Sequence, residues 1–208
     1  MYVSKHHALP ELGEAQAPIE AYPLGAWVAP LANHVPFLLD RSHGKFGTLL
    51  GHVSCANPVC KQLLASAPSV VMLQGPQSYI TPGWYPGKQE HGKVVPTWNY
   101  AVAHAHGAAR AIDDEHWLRD MPTRLTAAHE SSKPLPWQMT DAPADFIDKL
   151  LRAVVGIEIP IERLVGRLKA SHEALQDRLG TASGLAAEGT ENAAAMACLV
   201  ERATQRLR

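Results

Sequence analysis

Hydrophobic and polar positions alternate along most of the first half of the chain and recur at helical spacing along much of the second. Residues 8–21 set Pro10 and Pro18 among Glu11, Glu14 and Glu20 and predict a short or broken helix. Leu24–Ala29 predicts a strand and Asn33–Leu39 a second. Pro30 and Leu31 leave room only for a tight hairpin between them. Pro36 inside the second run predicts a bulge or a sheet edge, because proline has no N–H to give a ladder. After a polar turn at 41–47, Thr48–Val53 predicts a third strand. Ser54 and Asn57 then precede Pro58, a favoured first helical position, and a short helix is expected behind it. Ser69–Leu73 is an apolar fourth strand. Val94–His106 is a long fifth strand bent at Pro96, and 108–112 can begin a further one.

From Asp113 the period changes. Residues 114–129 place Trp117, Leu118, Met121 and Leu125 on one helical face, with Pro122 expected to kink or split the helix. A loop with Pro134, Pro136 and Pro143 follows. Ala144–Val155 predicts an amphipathic helix with Phe146, Ile147, Leu150, Leu151 and Val154 facing inward. Residues 155–165 return to strand-like alternation, and 167–208 read as helix, break around Gly180–Gly189, helix. Strands first, helices later and one late strand favour a barrel over a βαβ sheet. Neither GxGxxG nor GxxxxGK[ST] occurs, so no phosphate-loop signature supports a nucleotide fold.

Composition narrows this picture. The 208 residues suffice for one domain with at most a small appendage, and 46% apolar with 19% charged residues is ordinary for a folded chain. A formal net charge of −1 supplies no field to draw nucleic acid or an anionic membrane. Cys55, Cys60 and Cys198 are odd in number and lack framework spacing, which suits a reducing compartment. Met1 leads into no apolar leader, and no run reaches eighteen apolar residues, so a cytoplasmic protein without a membrane span is expected.

One segment departs from ordinary composition. Residues 74–107 hold Tyr79, Trp84, Tyr85, Trp98 and Tyr100, interleaved with four prolines and five glycines. With ANHVPFLLD at 32–40, GHVSCANP at 51–58, QGPQSYITPGWYPGK at 74–88, GKVVPTWNYAVAHAHG at 92–107 and VGIEIPIERLVGR at 155–167, the chain resembles the PaiB-type FMN-binding split-barrel family. Members of that family are often labelled negative transcriptional regulators. The resemblance implies a mainly β fold with flanking helices: a six-stranded, Greek-key-like split barrel over residues 1–170 and a C-terminal helical tail at 171–208. It also implies a homodimer with FMN at the subunit interface. The sequence departs from the family pattern at Tyr2–His7, in the short hairpin before Asn33, and at Lys169–Glu173, where Lys169 and Ser171 keep the pattern and His172-Glu173 replace Gln-Asn.

Given FMN, four groups of residues are candidates. His52, Val53, Ser54 and Asn57 end a strand before a helix N-terminus, where free N–H groups and the dipole favour phosphate, with Lys61 one turn on. The alternative is plain capping. Asn33, His34 and Pro36 lie on a strand whose backbone can read the edge of the flavin ring, unless His34 is a core histidine. Trp84, Trp98, Thr97, Asn99, Ser78, Tyr79 and Lys88 form the aromatic wall with its hydroxyls and cation, unless the aromatics are core or dimer interface. His104 and His106 share a strand face. They suit a structural role, or contact with the flavin's partner, better than a metal, and no metal is expected. No catalytic residue stands out, since nucleophile elbow, triad and paired-carboxylate signatures are missing.

Three functions follow as expectations. The first is a flavin-dependent sensor or regulator. The second is an FMN-dependent oxidoreductase acting on a small planar substrate or reductant at the dimer interface. Direct DNA binding is the third and is not favoured, because the only basic edge is Arg202, Arg206 and Arg208.

Overall fold

Phe37 is where the first long extended run changes direction. Pro36 has no N–H, so the ladder lapses there, and the Phe37 N–H donates instead to the Pro23 carbonyl at 2.9 Å. The predicted strand 33–39 is therefore two, β2 (Ala32–Pro36) and β3 (Leu38–Asp40), on either side of a fully buried Phe37. The structure is a computed structural model. It describes all residues except Tyr2, Lys5, His6, Pro10, Pro30, Ser66, His172, Leu207 and Arg208, and omits also the side chains of Gln62, Leu64, Ala65 and Ala67. The expectations for Pro30, His172, Arg208 and part of the Tyr2–His7 segment fall outside the described residues.

The remaining strands are β1 (Leu24–Val28), β4 (Thr48–Ser54), β5 (Ala67–Ile80), β6 (Thr97–Ile112), β7 (Val154–Pro160) and β8 (Arg163–Lys169). Their order in the sheet is β2-β1-β5-β6-β7-β4-β3, with β8 pairing β6. Eight strands stand where the family resemblance implies six, partly because Phe37 divides one run. The 155–165 alternation contributes two strands, turned at Ile161 and Glu162. Helices are α1 (Leu12–Ala21), α2 (Gly87–Glu90), α3 (Glu115–Glu130), α4 (Ala144–Leu151), α5 (Leu175–Ala187) and α6 (Glu191–Gln205).

Several boundaries differ from the sequence expectation, each for a local reason. The predicted helix after Pro58 is a 3-10 stretch, Pro58–Ala65. β5 continues through the buried Gly75 and Pro76 to Ile80 rather than stopping at Leu73. β6 begins only after Pro96 and runs unbroken to Ile112, so 108–112 is its continuation. α3 passes through Pro122 without splitting. In α4, Ile147 and Leu151 are buried, whereas Phe146 and Leu150, expected inside, are exposed. Val154 belongs to β7.

The described chain divides into two units. One comprises residues 19–73 and 104–164. Its core is built on Phe37 between two glycines: a Cβ on Gly51 or Gly25 would lie 3.1 Å from the Phe37 ring. Trp117 of α3 covers Gly156 of β7, where a Cβ would come within 2.3 Å of the indole. Asp114 caps α3, accepting from the Trp117 N–H at 2.8 Å. Ion pairs Arg110–Glu158 and Arg124–Asp40, each 2.8 Å, line the same unit. The Arg124 and Ser42 hydrogen bonds hold the Asp40 carboxyl well below the usual carboxylate range.

The other unit comprises residues 1–18, 74–103 and 165–208. Here α5 and α6 bury Leu185, Met196 and Val200 against Ile80, Tyr85 and Ala170. Burying each such aliphatic side chain stabilises by roughly 1.5–3 kcal/mol. The break between the two helices is Glu188–Thr190. Gly189 takes φ +72 there, a conformation that ends a helix and favours glycine. Gly180 and Gly184, which the sequence placed in the break, are inside α5.

Candidate functional site

β6 sorts its side chains by alternation. Asn99, Ala101 and Ala103 are buried, and Trp98 and Tyr100 project from the opposite face. Asn99 is fully enclosed and binds one neighbour twice: its Nδ2 donates to Ser171 Oγ at 2.8 Å and its Oδ1 accepts from the Ser171 N–H at 3.2 Å. Ser171 has φ +50, a left-handed conformation uncommon outside glycine, and Asn99 holds it there. This latch fixes the end of β8. Lys169 Nζ donates to Thr97 Oγ1 at 2.5 Å, and the Arg167 guanidinium sits 5.1 Å from the centre of the Tyr100 ring.

On the Trp98 face the indole N–H donates to Gln77 Oε1 at 2.7 Å, and the Tyr79 ring meets the Trp98 ring edge-on, 6.1 Å between centres and 63° apart. Gln77 is in turn held by Asn192 of α6. The Gln77 N–H donates to Asn192 Oδ1 at 3.2 Å and the Asn192 amide donates back to the Gln77 carbonyl. The wall is thus anchored at several points, yet Tyr79 is 48% and Trp98 49% exposed. Two half-exposed aromatics side by side make an apolar patch that a ligand or a partner can cover.

This donor set suits a flavin nucleotide. The Trp98 ring offers a flat apolar face with the Tyr79 ring edge-on beside it, and Arg167 of β8, over the Tyr100 ring two residues along β6 from Trp98, offers a cation for phosphate. Lys169 adds a second cation beside Thr97. Of the other residues predicted for this region, Ser78 keeps its hydroxyl local, donating to the Tyr79 carbonyl, and Lys88 is exposed on α2. Trp84 is used elsewhere. It lies over the two glycines of α5, where a Cβ on Gly184 would come within 2.3 Å of its ring and one on Gly180 within 2.0 Å of its carbonyl oxygen. That is a helix-packing role, the alternative the sequence had left open.

The predicted residues of the other unit form a separate set. Asn57 Nδ2 donates to Asn33 Oδ1 at 2.8 Å, and Asn57 Oδ1 accepts from the Val59 N–H at 3.0 Å. The Asn57 carbonyl takes the Cys60 N–H, and Ser54 Oγ takes the Ala56 N–H. Since Pro58 has no N–H, the donors expected to greet a phosphate here are largely used inside the loop, and Lys61 is exposed. His34 and Pro36 share the exposed face of β2, so His34 is not a core histidine. Val53 is buried. His52 is half-buried with Nδ1 enclosed and unbonded, and burial pushes its pKa below 6.5.

His104 and His106 lie with ring centres 6.4 Å apart. Burial is the main cause that lowers both, and the positive charge of Arg163 comes next for His106. The His106 Nε2 is enclosed without a hydrogen-bond partner. Among the described residues no three His, Cys, Asp or Glu side chains gather as metal ligands.

Sequence reasoning did not single out Gln77, Arg167 or Asn192. The alternation of β8 carried a signal, since Arg167 and Lys169 fall on one strand face. Nothing in the sequence indicated that Asn192, 115 residues away, would pair with Gln77.

Comparison with known proteins bears on the family and the fold. The family model described as "Putative FMN-binding domain" matches residues 1–163. An uncharacterized protein of Emericella nidulans is 34% identical over 96% of each chain. The Protease synthase and sporulation protein PAI 2 of Bacillus subtilis is 25% identical over 97% of each. Among solved structures, the FAD and heme binding protein of Mycobacterium smegmatis aligns with a TM-score of 0.60 at 15% identity, covering 82% of this chain and 78% of that one, a likeness of fold. No helix among the described residues is long and apolar enough to cross a membrane.

Proposed function

The chain belongs to the FMN-binding domain family, with a split β-barrel fold and FMN as cofactor, and from that premise we propose a cytoplasmic homodimer acting as a flavin-dependent sensor or regulator. The observation that carries this reading is the half-exposed Tyr79–Trp98 pair at a stretch of β6 where Arg167 also sits over Tyr100 and Lys169 bonds Thr97. In this proposal the ring of FMN lies against Trp98 and Tyr79. Gln77 and Asn192 hold that wall in place. Arg167 and Lys169 take the phosphate, Lys169 exchanging its bond to Thr97 for one to a phosphate oxygen. The second subunit covers the outer side of the wall, where Val95 is also exposed. When bound, FMN supplies one- and two-electron redox chemistry. The protein contributes binding, orientation and exclusion of water.

A regulator of this kind acts through flavin occupancy or a protein partner. A net charge of −1 does not support direct DNA binding.

One observation favours a second reading, an oxidoreductase acting on a small planar substrate. His104 and His106 stand as a pair on one face of β6 with ring centres 6.4 Å apart, and burial favours the neutral imidazole that acid–base work needs.

The test is the visible absorption spectrum of purified protein before and after FMN addition and desalting, together with mass by light scattering. Retained flavin at about one per subunit and a dimer mass are expected. A flavin-free monomer would remove the proposal. NADH oxidation by the FMN-loaded protein no faster than by free FMN would sink the oxidoreductase reading alone.

A further inference from the structure

Between α3, the 131–143 loop and α4 lies a cleft of about 670 Å3, none of whose lining residues belongs to the flavin site described above. Its volume is that of a small-molecule pocket, where the usual range is roughly 300–1,000 Å3. The cleft is largely shaped in advance. Pro134, Pro136 and Pro143 stiffen the loop. The Gln138 N–H closes a turn on Asp141 Oδ2 at 2.8 Å, and the Met139 sulfur lies 3.7 Å from the Thr123 hydroxyl of α3, which donates to the Arg119 carbonyl.

Charge decides what fits. The two charged residues of the lining, Arg119 and Glu130, are both engaged. Arg119 pairs with Asp148 of α4, and Glu130 Oε2 accepts the Trp137 N–H at 3.0 Å. An anionic ligand therefore finds Arg119 already paired and the Glu130 carboxylate still charged, and loses its hydration on entry. The lining that remains is apolar, formed by the indole of Trp137, the thioether of Met139 and Ile147. Thr126 and Thr140 bring hydroxyls to it. An indole and a thioether both favour contact with an aromatic ring. Trp137 is exposed, like the neighbouring Leu135, so an entering ring gains apolar contact on a side now facing water.

We propose that this cleft is a second small-molecule site, for an uncharged planar molecule of about two fused aromatic rings bearing a hydroxyl or carbonyl group. Its occupant lies against Trp137 with its polar group toward the threonine hydroxyls. The proposal is independent of where FMN binds.

The test is calorimetric titration of the full chain, as purified and again with FMN added, using 1-naphthol as the uncharged probe and 1-naphthoate as its charged counterpart. Saturable binding of one 1-naphthol per subunit is expected, with naphthoate at least about tenfold weaker. Ala127 is an exposed residue of α3 on the cleft wall, so Ala127→Trp fills the cleft without disturbing the core. Ala127→Trp and Trp137→Ala should each weaken naphthol binding by about tenfold or more, with an unchanged circular dichroism spectrum. Trp98→Ala should leave it unchanged. Full binding by Ala127→Trp, equal binding of naphthoate, loss of binding in Trp98→Ala, or no saturation below about 1 mM would each overturn the proposal.

Discussion

The side chain of Asn192 pairs with both backbone groups of Gln77, as a neighbouring strand would, and Gln77 in turn accepts the indole N–H of Trp98. An amide at the start of α6 thereby sets the position of a half-exposed aromatic ring on the sheet. Replacing Asn192 with Ala leaves the Gln77 backbone to water. The expected cost is about 1 kcal/mol of stability and a roughly fivefold weaker FMN affinity. Fluorescence-detected FMN titration checks this. An affinity equal to wild type would show that Trp98 keeps its place without α6.

Trp98→Ala removes the larger ring of the proposed flavin wall. Because Trp98 is half exposed, little folding stability should be lost, while FMN affinity falls about tenfold or more. Unchanged affinity together with an unchanged dimer mass would defeat the assignment of this face.

Asn99→Ala strikes the latch instead. It deletes both bonds to Ser171 inside a closed core and leaves the Ser171 N–H enclosed. Urea unfolding should show a loss of about 2 kcal/mol. Lys169, no longer held two residues from a fixed Ser171, should contribute less to FMN binding, read as a weaker salt dependence of affinity.

Gly184→Ala tests the packing role of Trp84. The new methyl would lie 2.3 Å from the Trp84 ring, a clash that displaces either the ring or α5. Overpacking of this kind costs roughly 1–3 kcal/mol. A variant as stable as wild type would mean that Trp84 is not seated on α5.

Stability should depend on pH through the buried histidines. Burial lowers the pKa of His52, His104 and His106 below 6.5, so near and below that pH the unfolded chain binds more protons than the folded one. Stability is therefore full above about pH 7 and declines as pH falls through the ordinary histidine range. Urea midpoints at pH 7.5 and pH 5.5 should differ in that direction, and His52→Gln should reduce the difference. A midpoint that rises on acidification contradicts the sign.

The sequence by itself determined the class of this protein. Strand alternation at Leu24–Val28 and Thr48–Val53, the helical face of Trp117, Leu118 and Met121, and the motifs around Trp84 and Trp98 were legible. Each rests on local periodicity or on a contiguous motif. Tertiary structure alone decided the use of the aromatics. Trp84 and Trp98 look alike in the sequence, yet Gly180 and Gly184 take one into the helix interface, while Gln77 holds the other at the surface. It also decided that Asn57 spends both ends of its amide within its own unit, and that Arg167 reaches Tyr100. Such pairings join residues far apart in the chain. Periodicity reports which face a side chain occupies, and only the completed fold supplies the neighbour it meets there.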